Sequence, residues 1–225
     1  TCDPARSFFA PMTDSELVAS IDAILGSDPD AARRIERIYG PIEQWDMSQV
    51  TTLANAFVNH VDFNANISAW DTSAVTNMEN TFKGATIFNQ NIGNWDVSKV
   101  TSMYAMFSYA SAFNSDLSSW DVSKVTNMFA MFRGTSFQQP LNEWDVSKVT
   151  AMSGMFQGSV FNQPIDDWDT RMVTSMDFMF KDTCLGGVQE FDWCATVESF
   201  LTKPCCYIAY ADTNRYRCDG SAPGY

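Results

Sequence analysis

Residues 92–110, IGNWDVSKVTSMYAMFSYA, carry two hydrophobic periods in succession. The first part alternates. Trp95 and Val97 are apolar, Asp96 and Ser98 polar. This is the period of a half-buried strand, whose successive side chains point to opposite faces. The second part changes step: Met103, Met106, Phe107 and Ala110 fall at i, i+3, i+4 and i+7. That spacing predicts one face of a short helix, with Ser98 or Thr101 placed to cap its first turn.

The same stretch recurs along the chain. Trp stands at 45, 70, 95, 120, 144 and 168, at steps of 25 or 24, and each is followed by Asp. Ile or Leu precedes each Trp by three (Ile42, Ile67, Ile92, Leu117, Leu141, Ile165), and Val follows by five (Val50 to Val173). A Phe follows by twelve (Phe57, Phe82, Phe107, Phe132, Phe156, Phe180), and a second Phe opens the approach to the next unit at 63, 88, 113, 137 and 161. A unit of this length cannot bury its own apolar face, but stacked copies can. Strand–crossover–strand connections between parallel strands are right-handed in nearly all cases. The expected fold class is therefore an α/β repeat, a right-handed solenoid with a parallel sheet on one face and short helices on the other.

Three segments follow. Residues 1–41 predict a helical N-terminal cap. Thr13 with Glu16 has the form of a capping box, and Leu17, Ile21, Ile24 and Leu25 make an apolar face. Gly26-Ser27-Asp28-Pro29 breaks that helix and starts a second, with Pro29 at its first position and Gly40-Pro41 at its end. Residues 42–194 hold six full repeats and a degenerate seventh strand, in which Val188, Phe191, Asp192, Trp193 and Cys194 match the repeat columns. Residues 195–225 predict a Cys-rich C-terminal cap.

The charge of −13 over 225 residues argues against nucleic acid, whose phosphates require a basic surface, and against anionic membrane surfaces. No run of about 18 apolar residues is present to span a membrane. The six cysteines, Cys2, Cys184, Cys194, Cys205, Cys206 and Cys218, show no CxxC or Cys/His metal spacing. They are disulfide candidates, and their crowding at one end reads as a stapled cap in an oxidising, secreted or cell-surface compartment. Cys2 stands apart. Six strand gaps separate the ends by about 30 Å, whereas a disulfide needs Cα atoms within about 7 Å. Cys2 is then free or reaches a partner chain, which allows self-association through the caps.

The motif W-D-[VT]-S-x-V-T-x-M-x-x-[MT]-F…F-N-[QS], seen for example as WDVSKVTNMFAMF at 120–132, resembles the BspA-like leucine-rich-repeat surface proteins over about residues 42–194. That resemblance implies a leucine-rich-repeat-like solenoid in an extracellular or cell-surface setting, with adhesion or interaction roles. It supplies no catalytic motif and no uniform ligand.

If Trp and Val face inward, Asp and Ser face out. The outer face then carries Asp46, Asp71, Asp96, Asp121, Asp145, Asp169 and Asp192 in one row, with Ser98, Ser123 and Ser147 beside it. At a strand spacing of about 4.8 Å, adjacent carboxylates repel by about 1 kcal/mol in water and by about 3 to 4 at an effective dielectric of 20. Hydrogen bonds from Ser and nearby amides, the neighbouring Lys99, Lys124 and Lys148, raised pKa values, or bound cations could offset this. Calcium suits oxygen ligands best. A row of like carboxylates lacks the unlike pair that acid–base catalysis needs, and His60 has no Ser or Cys partner in the pattern. The expectation is a binding or adhesion module for a protein, glycan or cation rather than an enzyme. A structural subunit assembled through its caps is the alternative. The Asn after the second Phe (Asn64, Asn89, Asn114, Asn162) is expected to form an internal hydrogen-bonding row.

Overall fold

The structure is a computed structural model that describes residues 9–183. All six cysteines, Asp192, the degenerate seventh unit and the C-terminal cap lie outside the described residues.

The described chain opens with β1 (Pro11–Thr13), α1 (Asp14–Leu25) and α2 (Pro29–Tyr39), and a 3-10 turn at Ile42–Gln44 leads into β2 (Asp46–Gln49). Helix α2 starts at Pro29 because the Asp28 carboxylate accepts the Asp30 N–H (2.9 Å) and the proline ring presets the first helical φ. It ends at Gly40, whose φ of 76° is left-handed and whose N–H closes on the Glu36 carbonyl at 2.9 Å. A Cβ at Gly40 would lie 2.5 Å from the Phe9 ring, so that turn admits no larger residue. The capping box at α1 is half formed, the Glu16 carboxylate accepting the Thr13 backbone N–H. Thr13 bonds the Glu16 carboxylate side chain to side chain (2.5 Å) and makes no cap bond to the helix backbone.

β1 and β2 pair in parallel, so the N-terminal segment lies alongside the first repeat. Units 1 to 6 are numbered here by their tryptophans, Trp45 to Trp168. They lie side by side in parallel register, with bridges running Thr52–Asn77–Ser102–Asn127–Ala151–Ser175. Alternate N–H groups point to the next unit. Those of Leu53, Asn55, Phe57 and Asn59 donate to the carbonyls of Asn77, Glu79, Thr81 and Lys83 at 2.8–2.9 Å. The intervening N–H groups close turns within the unit, such as Ala56 to the Leu53 carbonyl (3.1 Å) and His60 to the Phe57 carbonyl (3.2 Å).

Two features of the expected repeat are corrected. Among the described residues no repeat contains a helix. Where the i, i+3, i+4, i+7 spacing predicts one, the chain makes two consecutive four-residue turns. The third residue of each turn has positive φ: Asn55 and Asn59 in unit 1, Ala105 and Tyr109 in unit 3, Gly154 and Gly158 in unit 5. Positive φ at that place is what a type II turn requires and what an α-helix forbids. Thr101 accordingly caps no helix; its hydroxyl donates to the Thr76 carbonyl (3.2 Å). The second correction concerns the strand. Only unit 1 pairs at its Trp-Asp segment, through β2. In later units that segment is clipped by turns on both sides, Trp95 N–H to the Ile92 carbonyl (3.0 Å) and Val100 N–H to the Val97 carbonyl (2.9 Å). The bonds joining units fall instead on the stretch that begins at the Thr six residues after each Trp.

The core is a set of ring stacks along the repeat. Phe57, Phe82, Phe107, Phe132, Phe156 and Phe180 follow one another at centroid distances of 5.2–5.7 Å. Phe63, Phe88, Phe113, Phe137 and Phe161 form a second file at 5.7–6.2 Å. Within a unit the two files touch, as at Phe107–Phe113, 3.9 Å apart. Full burial of each such ring stabilises by about 1.5–3 kcal/mol. The indoles form a third file with a polar edge. From Trp70 onward each indole N–H reaches back to the carbonyl of the residue three before the preceding Trp, for example Trp70 to Ile42 (2.8 Å), Trp95 to Ile67 (3.1 Å) and Trp120 to Ile92 (3.1 Å), while that of Trp45 donates to the Gly40 carbonyl (3.0 Å). Buried indole donors and buried carbonyls thus satisfy one another across the unit boundary.

Candidate functional site

Trp95 and Val97 are buried and Asp96 is exposed, with the same alternation at Trp120, Asp121 and Val122 and at Trp144, Asp145 and Val146. Period two therefore puts the carboxylates on the outside, one per unit, at Asp46, Asp71, Asp96, Asp121, Asp145 and Asp169.

Each carboxylate has a local task. One oxygen accepts the N–H of the residue two ahead: Ser48 (3.0 Å), Ser73 (3.0 Å), Ser98 (2.9 Å), Ser123 (3.1 Å), Ser147 (3.0 Å) and Arg171 (3.2 Å). This is an Asx turn, the side chain standing in for a backbone acceptor. Beyond that amide, the Ser hydroxyl two residues on bonds the carboxylate at Asp71, Asp96, Asp121 and Asp145, and at Asp169 the Arg171 guanidinium donates to the second oxygen at 2.6 Å.

Of the offsets named for the carboxylate row, hydrogen bonding from Ser and nearby amides is found and raised pKa values are not. Asp71, Asp96, Asp121 and Asp145 are all held below the ordinary carboxylate range, first by the Ser hydroxyl two residues on and next by its amide. Lys99, Lys124 and Lys148 assist to a lesser degree, and repulsion from the next carboxylate ranks below the Ser bonds. Asp169 falls furthest, to about 2, because of Arg171. Hydrogen bonds to the charged form outweigh a screened like-charge neighbour at an exposed position. These five carboxylates are therefore held in the charged form. Among the described residues no three acidic, His or Cys side chains gather as a metal cluster.

The other polar rows are bonded between units. Thr76, Thr101, Thr126, Thr150 and Thr174 each donate a hydroxyl to the carbonyl of the preceding Thr at 3.0–3.2 Å. The amides of Asn89, Asn114 and Gln138 donate to the side-chain oxygens of Asn64, Asn89 and Asn114 (2.8–3.0 Å), so the Asn row is an internal hydrogen-bonding file. His60 is tied down by Asp22 of α1 at 2.9 Å.

A family model described as "Mycoplasma protein of unknown function, DUF285" matches residues 30–136 and 118–193, together most of the chain. The chain belongs to this family. The DUF285 match is compatible with a surface repeat protein and spans all six units. No curated protein matches the chain, and no solved structure does.

Two exposed features were missed by the pattern reading. On the turn side of the DUF285 repeats, Tyr104 stacks on Phe129 at 5.0 Å, the Arg133 guanidinium sits 5.3 Å over the Tyr109 ring, and Phe178 stands 56% exposed. These occupy the columns nine, ten, thirteen and fourteen after each Trp, which vary from unit to unit. That variation, beside constant Trp, Val and Phe columns, was the available signal. The second is Asp14, at the start of α1. Its carboxylate accepts Thr51 N–H (2.7 Å), Thr51 hydroxyl (2.5 Å) and Thr52 N–H (3.1 Å). Thr51 begins the Thr row, so Asp14 supplies the oxygen that a preceding unit's Thr carbonyl supplies elsewhere. No sequence pattern marks it.

Proposed function

We propose that the chain is a non-catalytic binding module of a secreted or cell-surface protein, a right-handed leucine-rich-repeat-like solenoid of the BspA-like kind. It presents its acidic row to a partner that is cationic, whether a protein surface, a basic glycan or a cation such as calcium. One observation carries the reading: six carboxylates in one outward row, five exposed and Asp169 half-buried, each accepting the amide two residues ahead. The turn uses only part of each carboxylate's acceptor capacity, and the lone pairs that face solvent are open to a ligand. Anchoring also removes the rotamer entropy that a flexible acidic side chain would lose on binding.

Asn can make the same turn without charge, so the triple substitution Asp96→Asn, Asp121→Asn, Asp145→Asn separates recognition from folding. Oligo-lysine serves as the cationic probe in a calorimetric titration at low and high salt. The expected result is salt-sensitive binding by the native chain and about a tenfold loss in the triple variant, equivalent to about 1.4 kcal/mol. A control, Glu36→Gln, Glu43→Gln, Asp62→Asn, removes the same charge from exposed sites off the row. Equal losses in both would reduce the row to net charge and end the proposal.

A second reading, a subunit that assembles through its ends, is favoured by the hydrogen-bonding state of unit 1. The carbonyls that face away from unit 2, those of Thr52, Ala54, Ala56 and Val58, receive no donor among the described residues.

A further inference from the structure

The turn region is charged differently from the rest of the chain. Of 27 acidic residues, only Glu79 falls at positions eight to fifteen after Trp in units 1 to 5, and one of its oxygens accepts the Ser102 hydroxyl (2.8 Å). Position thirteen is a cation in every second unit: Lys83, Arg133 and Lys181. Among the described residues Lys83 and Arg133 form no ion pair. The Arg133 guanidinium is instead laid 5.3 Å over the Tyr109 ring, which holds its planar fork of N–H donors in place. Tyr109 itself is a poor choice for stability. It sits at φ 61°, 49% exposed, in a column that Gly84, Gly134 and Gly158 fill in units 2, 4 and 5. An L-residue avoids this conformation, and a half-exposed ring recovers little of the cost by burial. The ring lies over Gly134, where a Cβ would come within 2.8 Å of it. In the same two units Tyr104 and Phe129 stack at 5.0 Å, both half-buried. A costly backbone outlier among exposed rings is the mark of a binding surface.

We propose that the turn side of units 2 to 4 binds a linear acidic glycan that runs along the repeat and carries one carboxylate per disaccharide. Lys83 and Arg133 stand two units apart, about 10 Å, which is close to the length of a disaccharide. The guanidinium takes one sugar carboxylate by two parallel N–H···O bonds, Lys83 takes the next as a point charge, and the rings take sugar C–H and acetamide methyl groups. Cations at alternate units suit a polymer of sparse charge better than a nucleic acid, which carries a phosphate on every nucleotide. The net charge of −13 does not forbid an anionic ligand, since carboxylates more than about 8 Å away are largely screened at physiological salt. This face is independent of the acidic row: it takes an anion where the row takes a cation.

The test is a calorimetric titration of the full chain at physiological salt with a hexasaccharide of alternating glucuronate and N-acetylglucosamine. The native chain is expected to bind, and Arg133→Ala to bind about tenfold more weakly, as the loss of a charge-assisted pair implies. Lys83→Ala is expected to weaken binding in the same direction. Tyr109→Gly restores the residue that the column holds elsewhere, so it is expected to lose affinity while its urea midpoint stays level or rises, a split that a merely structural role would not produce. The triple variant Asp96→Asn, Asp121→Asn, Asp145→Asn is expected to bind the hexasaccharide as the native chain does. A native chain that does not bind overturns the proposal, as does a Tyr109→Gly variant that binds undiminished or loses midpoint and affinity together. Equal binding of an N-acetylglucosamine hexamer, which has no carboxylate, would overturn the acidic ligand. Tighter binding of a thymidine hexanucleotide would assign the face to single-stranded nucleic acid and overturn the glycan.

Discussion

Gly158 distinguishes tandem turns from a helix by the sign of one stability change. Its φ is +64°, and a Cβ built on it meets nothing within 4 Å. Substitution by Ala therefore costs no packing; only the backbone counts. An L-residue held in the left-handed region loses about 1–2 kcal/mol, partly offset by about 0.4–1 kcal/mol from the smaller freedom of the unfolded chain. The net expectation is a loss of about 1 kcal/mol. Inside a helix the same change would gain about 0.8–1 kcal/mol. Urea unfolding followed by tryptophan fluorescence resolves this, since with slopes of about 1–3 kcal/mol per molar a 1 kcal/mol loss lowers the midpoint by about 0.3–1 M. Gly158→Asn is expected to fall between Ala and native, because Asn tolerates this region and Asn59 occupies the same place in unit 1 at φ 59°. An Ala variant as stable as the native chain, or more so, would refute the turn assignment.

Trp95→Phe removes the N–H that satisfies the Ile67 carbonyl (3.1 Å) and is expected to cost about 1–3 kcal/mol for the stranded acceptor, measured by the same unfolding curves. Phe107→Ala, which empties a site touching Phe82, Phe113 and Phe132, is expected to cost about 3–5 kcal/mol; a loss under 1 kcal/mol would mean the files do not pack as described. Stability should be level above pH about 4, the ordinary carboxylate value. It should then decline as pH falls through the lowered values of Asp14, Asp71, Asp96, Asp121 and Asp145, with Asp169 titrating last, near 2. The sign follows from linkage: these carboxyls bind protons less readily folded than unfolded, so acid favours the unfolded chain. Thermal melts from pH 6 to pH 2 check it, and a chain that gains stability on acidification would contradict the Asx-turn bonds.

The unit length and the inward or outward direction of Trp95, Asp96 and Val97 could be read from the chain because period two leaves no other choice. The turn region could not. Met103, Met106, Phe107 and Ala110 have helical spacing, but the first and fourth residues of two successive four-residue turns have the same spacing. Composition at the left-handed places separated the two cases: Asn55, Asn80 and Gly154 in one column, Asn59, Gly84, Gly134 and Gly158 in the other. Ala105, Ala130, Tyr109 and Phe178 in those columns masked the signal, since the stack holds them at positive φ despite their preference. The carboxylate row was visible, but which offset keeps it charged was not, because Coulomb's law between neighbours can be estimated from spacing whereas Asx-turn bonds depend on local backbone shape. The hydrogen bonds from Thr51 and Thr52 to Asp14 join residues 37 and 38 positions apart and follow no repeat.

The units are not all of one length, and the difference falls at one corner. From Phe107 to Phe113 the chain takes six steps; from Phe132 to Phe137, and from Phe156 to Phe161, it takes five. Yet both Phe files continue through the shorter members, the first at 5.7 Å and the second at 6.0 and 6.2 Å. That corner is a slip joint: a residue can enter or leave there without disturbing its neighbours. Copying or losing a whole cassette changes reach by about one strand spacing. A gene built this way can tune the span of its product by counting, with no need to redesign the interior.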